Sequence, residues 1–473
     1  MALSTIAQPF PNLNPVFNPL KYILDSTNKN QTGFRYVFDL YHAGTANKIS
    51  EFKVLPRFGD GYGEKDISRI LQSLVSVKFD PSNFPYDDAD GSYVLYDLKV
   101  GEEYVVPVNY TANVTQNGLY VKITATHSFQ VGDQVVIEQV DDGAANPGLE
   151  GLFTVVAITG TTDFTVNSLW SAITDATING SVRYSDNRKT IFRDLVTYSS
   201  RAAFNGAMSF ADFISYDEAN YSIDSATSML LTSFPDEGIR IKPEQFAWFN
   251  AWNAQDNSFD VYFQNSNGDE FSYSLGSTTD ITQICVAGGD DLQGELITEA
   301  GTAPLIKDDT SYYDVWINEA SQISKKYRFY IDRRCAINDY ELYFMDRMGS
   351  VVSFPMMLKD KLTGNVTKTE YNKRVEGHVS STKWRYYSYE RGTTTVDHAV
   401  TETLELNSNY MTQAEINYFT ELITSPFTWL KHNGVYQACI VQDTTYEQER
   451  ENVKRLMRKT VRIKLSNQDI ING

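Results

Sequence analysis

The stretch from Lys326 to Pro355, KYRFYIDRRCAINDYELYFMDRMGSVVSFP, decides the fold class. Tyr327, Phe329 and Ile331, then Tyr340, Leu342 and Phe344, recur at every second position. A period of two gives each strand one buried face and one wet face. Met348-Gly349-Ser350 is a turn signal, and Val351 to Phe354 begins the next strand.

Working outward, Thr412 to Leu465 completes a C-terminal module. Thr412 and Glu415 have the spacing of a capping box, in which each side chain reaches the other's backbone N–H. Ile416, Phe419, Leu422 and Ile423 form an apolar helical stripe that Pro426 ends. Phe427 to Leu430 reads as a strand, His432-Asn433-Gly434 as a turn, and Tyr436 to Val441 as the return strand. Leu456 to Leu465 is expected to close the sheet, with Val461, Ile463 and Leu465 alternating against Arg462 and Lys464.

Upstream, Phe259 to Gln264 and Glu270 to Leu275 alternate across an Asn267-Gly268 turn, a strong hairpin signal. Tyr312 to Ile317 alternates again, and Pro243 to Trp252 reads as a helix or a wide strand. Met1 to Pro19 carries Pro9, Pro11, Pro15 and Pro19 and reads as an arm or edge segment. Three strands over Lys21–Asp25, Phe34–His42 and Ile49–Pro56 precede the Gly-rich loop Arg57–Lys65. A helix from Asp66 to Val77 follows, with Asp66 as its cap. Gly101 to Arg183 changes character: it has almost no Lys or Arg, and short strands recur every 8–12 residues. That spacing predicts a small antiparallel barrel or sandwich inserted in the first domain.

The expected fold class is therefore mainly β, sandwich and barrel modules with a few short helices, in several domains. The divisions are a 1–19 arm, a domain of 20–100 plus 184–224, the 101–183 insert, a 225–325 sandwich and a 326–473 α+β module. A length of 473 residues and an apolar share of 42% suffice for several cores.

Charge excludes one class of function. The net charge is −19, and phosphate backbones need a basic face, so nucleic acid is not an expected partner. Cys285, Cys335 and Cys439 are widely spaced and form no CxxC, so neither a disulfide framework nor a zinc site is expected. No signal-peptide pattern and no run of 18 apolar residues occurs, so the expectation is a cytoplasmically made chain without membrane insertion.

Motifs for chemistry are weak. Gly59-Asp60-Gly61-Tyr62-Gly63 lacks the Gly-Lys-Ser/Thr ending of a phosphate loop and reads as a flexible strand-to-helix loop. Asp87, Asp88 and Asp90 miss the register of a calcium loop, as do Asp290 and Asp291. The five His residues are isolated, and no G-x-S-x-G elbow occurs. No catalytic, cofactor or metal site is expected. Lys454, Arg455, Arg458, Lys459, Arg462 and Lys464 make a basic stripe in an acidic chain. It reads as the wet face of the last elements or as an electrostatic contact with an acidic neighbouring subunit.

Phe204-Asn-Gly-Ala207, Leu231-Thr-Ser-Phe-Pro235, Tyr340–Phe344 followed by Gly349, and Thr424-Ser-Pro-Phe-Thr-Trp429 resemble structural tail proteins of tailed bacteriophages, particularly those infecting Bacteroidota. The resemblance covers most of residues 20–100 and 190–470. The insert resembles small β-modules of phage tail and fibre proteins through His127-Ser-Phe-Gln-Val-Gly-Asp133, Gly151–Thr154 and Asp163–Val166. The family implies a virion part made in the host cytoplasm, without catalysis. It would sit in a homo-oligomeric ring of six or three copies in the tail, hub or baseplate, beside other tail proteins. Two rivals stand beside it. A host-surface or glycan-binding adhesin would show exposed Trp/Tyr patches in the insert or in Ala247–Trp252. A tail-associated hydrolase would show paired carboxylates in a cleft.

Overall fold

The computed structural model describes residues 3–466 apart from 82–84, 107, 118, 142–148, 170–175, 187–188, 254–257, 278–279, 290–291, 293–295, 299–303, 390–391 and 444–456. The chain is mainly β, with several sheets and more than one domain. It divides into two compact units. One comprises Met1–Asn12, Pro19–Ser68 and Leu95–Ala202; the other comprises Leu13–Asn18, Arg69–Val94 and Ala203–Gly473.

In the first unit Leu3–Ala7 pairs antiparallel with Lys21–Ser26, which pairs in turn with Gly63–Asp66. The start of the expected arm is thus a strand of its own chain. Strands Thr190–Phe204, Tyr93–Tyr104, Arg35–His42 and Lys48–Val54 lie side by side in that order. Asp39 is buried there between Lys48 and Arg193, which compensate its charge. Strands from Val108–Asn117 to Ala176–Tyr184 close into a barrel around Val121, Ile123, Phe129, Phe164 and Val166. The barrel's first and last strands pair with each other, Val108 opposite Val182.

The second unit holds a ten-stranded and a six-stranded sheet. The large sheet runs in the order Lys361–Asn372, Thr393–Asn407, Thr460–Leu465, Val435–Val441, Thr428–His432, Tyr340–Met345, Val351–Met356, Phe246–Asn253, Asp280–Gly288, Tyr86–Asp88. The smaller one runs Ile239–Ile241, Tyr327–Ile331, Tyr312–Asn318, Ser258–Asn265, Glu270–Ser277, Ile297–Thr298. The two face each other as a sandwich: Phe249 of one and Phe329 of the other have ring centroids 6.0 Å apart. One core draws Val261, Phe329, Leu342, Phe354, Leu422 and Ile463 from both sheets and the long helix. No domain boundary therefore falls at 325/326, because strands from both sides of it share one sheet and one core.

The helix runs Gln413–Thr424 and carries the expected capping box, with Ile416, Phe419 and Leu422 buried. Two expectations change and one open choice is decided. The helix after Asp66 is only Ser68–Gln72. Asp66 does accept the Ser68 N–H at 3.0 Å, but the Ser73 hydroxyl then turns back to the Ile70 carbonyl at 2.7 Å. A serine so bonded competes with the helical ladder. Second, of the two readings of Pro243–Trp252 the strand holds, over Phe246–Asn253, and all eight of those residues are buried. Phe249 enters the sandwich core, while Trp248 packs on the far face against Phe79 and Tyr343. A strand covered on both faces shows no alternation. Third, Thr460–Leu465 does not close the sheet; Thr393–Asn407 and Lys361–Asn372 continue beyond it.

Candidate functional site

The basic stripe is only partly assembled. Lys454 and Arg455 lie outside the described residues. Arg458 and Arg462 are exposed and Lys464 is half-buried. Arg462 alternates outward between buried Val461 and Ile463, and it already pairs with Asp443 at 3.2 Å. Its strand is internal, so only side chains are offered there.

The other motifs resolve into structure. The Gly59–Gly63 loop joins Lys48–Val54 to the strand Gly63–Asp66, so it is a strand-to-strand turn. Arg57 clamps it through Asp60 and Glu64, and that guanidinium holds the Asp60 carboxyl down to about 2. Asp87 pairs with Lys78 within the second unit. Asp290 and Asp291 lie outside the described residues. Among the described residues no cluster of three His, Cys, Asp or Glu side chains suits a metal. No described helix is long and apolar enough to cross a membrane. Cys285 and Cys439 are buried and Cys335 is exposed, none of them in a disulfide among the described residues.

One carboxyl with perturbed chemistry was not foreseen. Glu421 accepts the Ser233 hydroxyl at 2.6 Å and the Arg347 N–H at 3.1 Å. Burial, reinforced by the nearby Asp346 charge, pushes it up to about 7. It lines two cavities of about 380 and 460 Å³. A carboxyl protonated near neutrality can act as an acid. Asp346 is no free second carboxylate, however. One of its oxygens accepts the Met348 and Ser350 N–H groups, and the other takes Thr232, Ser233 and Tyr418. Five donors make Asp346 the organiser of the Met348–Ser350 turn. The cluster ties loops together.

The largest unforeseen feature is a two-stranded arm. Lys361–Asn372 pairs antiparallel with Thr393–Asn407 along its whole length. The third strand accompanies this ribbon only over Leu404–Asn407. Beyond Thr403 the ribbon has two strands, and every residue of Lys361–Asn372 is exposed. Thr, Val and Tyr supply its β-propensity. Directly opposed residues share a face, so Leu362 with Leu404 and Val366 with Val400 lie on one side of the ribbon, with the Gly364–Glu402 pair between them. Next along that face, Leu406 enters the core.

At the far end Gly377–Ser380 and Lys383–Tyr386 form a small hairpin. Trp384 lies across Gly377, where a Cβ would come within 2.4 Å of its ring. Tyr386 meets Trp384 edge-on at 4.2 Å, His378 stacks on Tyr387 at 4.0 Å, and Tyr387 on Tyr389 at 5.0 Å. Trp384 and Tyr389 nevertheless remain 54% and 76% exposed. Trp384, Tyr386 and Tyr387 border an open groove of about 830 Å³ with Arg374 and Glu376. Ala247–Trp252, by contrast, is buried and offers no aromatic surface. The signal for the arm was present as a Thr/Val-rich run and the aromatic sequence Trp384–Tyr389, but neither predicts burial.

No known protein family matches the sequence, and no curated protein does. Among solved structures the chain is similar to the phage phi92 endosialidase at 8% identity, over 99% of this chain and 70% of that one, with a TM-score of 0.15. It is similar to a trypsin-activated alpha-2-macroglobulin from Escherichia coli at 9% identity, over 91% of this chain and 31% of that one, also at 0.15. A Salmonella alpha-2-macroglobulin reacted with methylamine gives 9% identity, 98% and 40% coverage, and 0.13. Superpositions at that level leave fold and function to be argued from the residues.

Proposed function

We propose that this chain is a structural protein of a bacteriophage virion, a tail, hub or baseplate component that assembles into a symmetric ring and connects tail parts. The observation that supports the reading best is the arm. A two-stranded ribbon is marginal in water by itself; every residue of Lys361–Asn372 is exposed, and among the described residues no further strand pairs with either edge beyond Leu404. Such an element suits a part completed by its neighbours. The resemblance of its core-lining motifs to tail proteins supplies the setting, and the ties around Asp346 and Glu421 suit a scaffold better than a catalyst.

Mass spectrometry of purified virions, followed by a cryo-EM map of the tail, tests the proposal. Several symmetry-related copies in the tail are expected; virions that lack the chain overturn it. The exposed rings at the arm tip favour one second reading, a host-surface adhesin that stacks sugars on aromatic faces.

A further inference from the structure

We infer that the arm is an assembly element whose occupant is a second copy of this chain: the ribbon face and basic aromatic tip of one copy dock on the acidic surface of the next. The inference rests on the ring reading above and specifies the contact.

Three observations carry it. The first is charge. Between residues 372 and 389 Lys373, Arg374, Lys383 and Arg385 stand against Glu376 alone, whereas the whole chain has a net charge of −19. None of these four cations makes an ion pair with a described residue of its own chain. They complement the surface that every other copy presents. The terminal stripe is a poorer candidate, since Arg462 is already engaged by Asp443.

The second is composition. Trp, Tyr and Arg are the residues that interfaces concentrate, and fixed rings lose little freedom on binding. Gly377 fixes Trp384 by letting it lie against the backbone.

The third is the shaft. Leu362, Val366 and Val400 lie on the face of the ribbon that leads through Leu404 and Leu406 into the core, on either side of the Gly364–Glu402 pair. Leu362 and Val366 are 60% and 54% exposed. A sugar bound at the tip would leave that face wet, whereas a protein surface laid along the arm covers face and tip together. The contact joins unlike surfaces, arm to body, and heterologous contacts of this kind form a ring when the rotation between copies closes.

Sedimentation velocity of the full chain at low and high salt provides the test. The wild-type chain is expected to self-associate, with a dissociation constant that rises at least tenfold between low and high salt. R374E/K383E/R385E, all at exposed positions, should weaken association by a similar factor while circular dichroism stays unchanged. L362S/V366S should do the same without altering the salt dependence. A wild-type chain that remains monomeric overturns the inference. So does association that both variants leave intact. If W384A abolishes binding on a glycan array while the tip variants leave association untouched, the tip is a sugar platform and the inference again falls. Those results leave the ring reading standing if virions contain symmetric copies; absence from virions removes that reading separately.

Discussion

Arg240 donates twice to Glu415, from its backbone N–H to Oε1 at 2.8 Å and from its guanidinium to Oε2 at 2.7 Å. The same carboxylate accepts the Thr412 N–H at 2.6 Å as half of the capping box. One side chain thus fastens the start of the helix to the Ile239–Ile241 strand. Thr412→Ala should cost about 1 kcal/mol, the usual value of a cap. Glu415→Ala should cost about 3 kcal/mol, because donors of Arg240 and Thr412 lose a charged acceptor. Leu422→Ala, at a fully buried position, should cost about 2–5 kcal/mol. Urea melts rank the three, and equal losses from Thr412→Ala and Glu415→Ala would contradict the double role.

Glu421 should make stability fall as pH rises. Its folded value is raised from 4.5 to about 7, so the folded chain holds a proton that the unfolded chain releases. The associated stability is complete below about 4.5 and is lost as pH climbs through about 7, a change of about 3 kcal/mol. Glu421→Gln keeps an acceptor for Ser233 and carries no charge. Thermal melts between pH 5 and 8 should therefore slope downward less in the variant. Parallel slopes would show that Glu421 does not titrate in that window.

The tip hairpin turns through Ser381 and Thr382, with φ of 53° and 69°. Both positions call for the left-handed region that Asn-Gly adopts readily and a β-branched Thr resists. Ser381→Asn with Thr382→Gly should relieve about 1–2 kcal/mol of local strain. Amide exchange at Val379 and Arg385 should slow accordingly. Unchanged or faster exchange would count against this turn geometry.

The barrel should be separable. Val108 and Val182 are paired residues, which places the entering and leaving chain about 5 Å apart. Replacing 109–181 with a short Gly/Ser linker should leave the rest soluble, because such a gap needs little closure entropy. An insoluble product, or loss of the remaining thermal transition, would argue that the surrounding sheet depends on the barrel.

Legibility in the sequence followed local physics. The capping box, the buried stripe at Ile416 and Leu422, and alternation in Ser258–Asn265 were readable because neighbours along the chain set them. Phe246–Asn253 was ambiguous because covering both faces erases the period. The shared core of the two sandwich sheets was invisible, since it depends on pairing Phe246–Asn253 with Val351–Met356, about a hundred residues apart. The arm was missed for the opposite reason. Every residue of Lys361–Asn372 is exposed, so burial leaves no trace in its pattern. Glu421 looked like any helix carboxylate, and only Asp346 and Ser233, distant in sequence, change its chemistry.

The uncovered edge of Lys361–Asn372 also bears on how the chain survives before it is used. Among the described residues nothing pairs with the outward backbone groups, those of alternate residues, and such an edge is a template on which an extended polypeptide can add. Lys361 and Lys368 place charges along that edge, and the register break between Thr369 and Glu370 bends it. Both devices discourage indiscriminate strand stacking of the kind that seeds amyloid. They shield a newly synthesised, concentrated pool of chain from aggregation while the rest of the ribbon stays open.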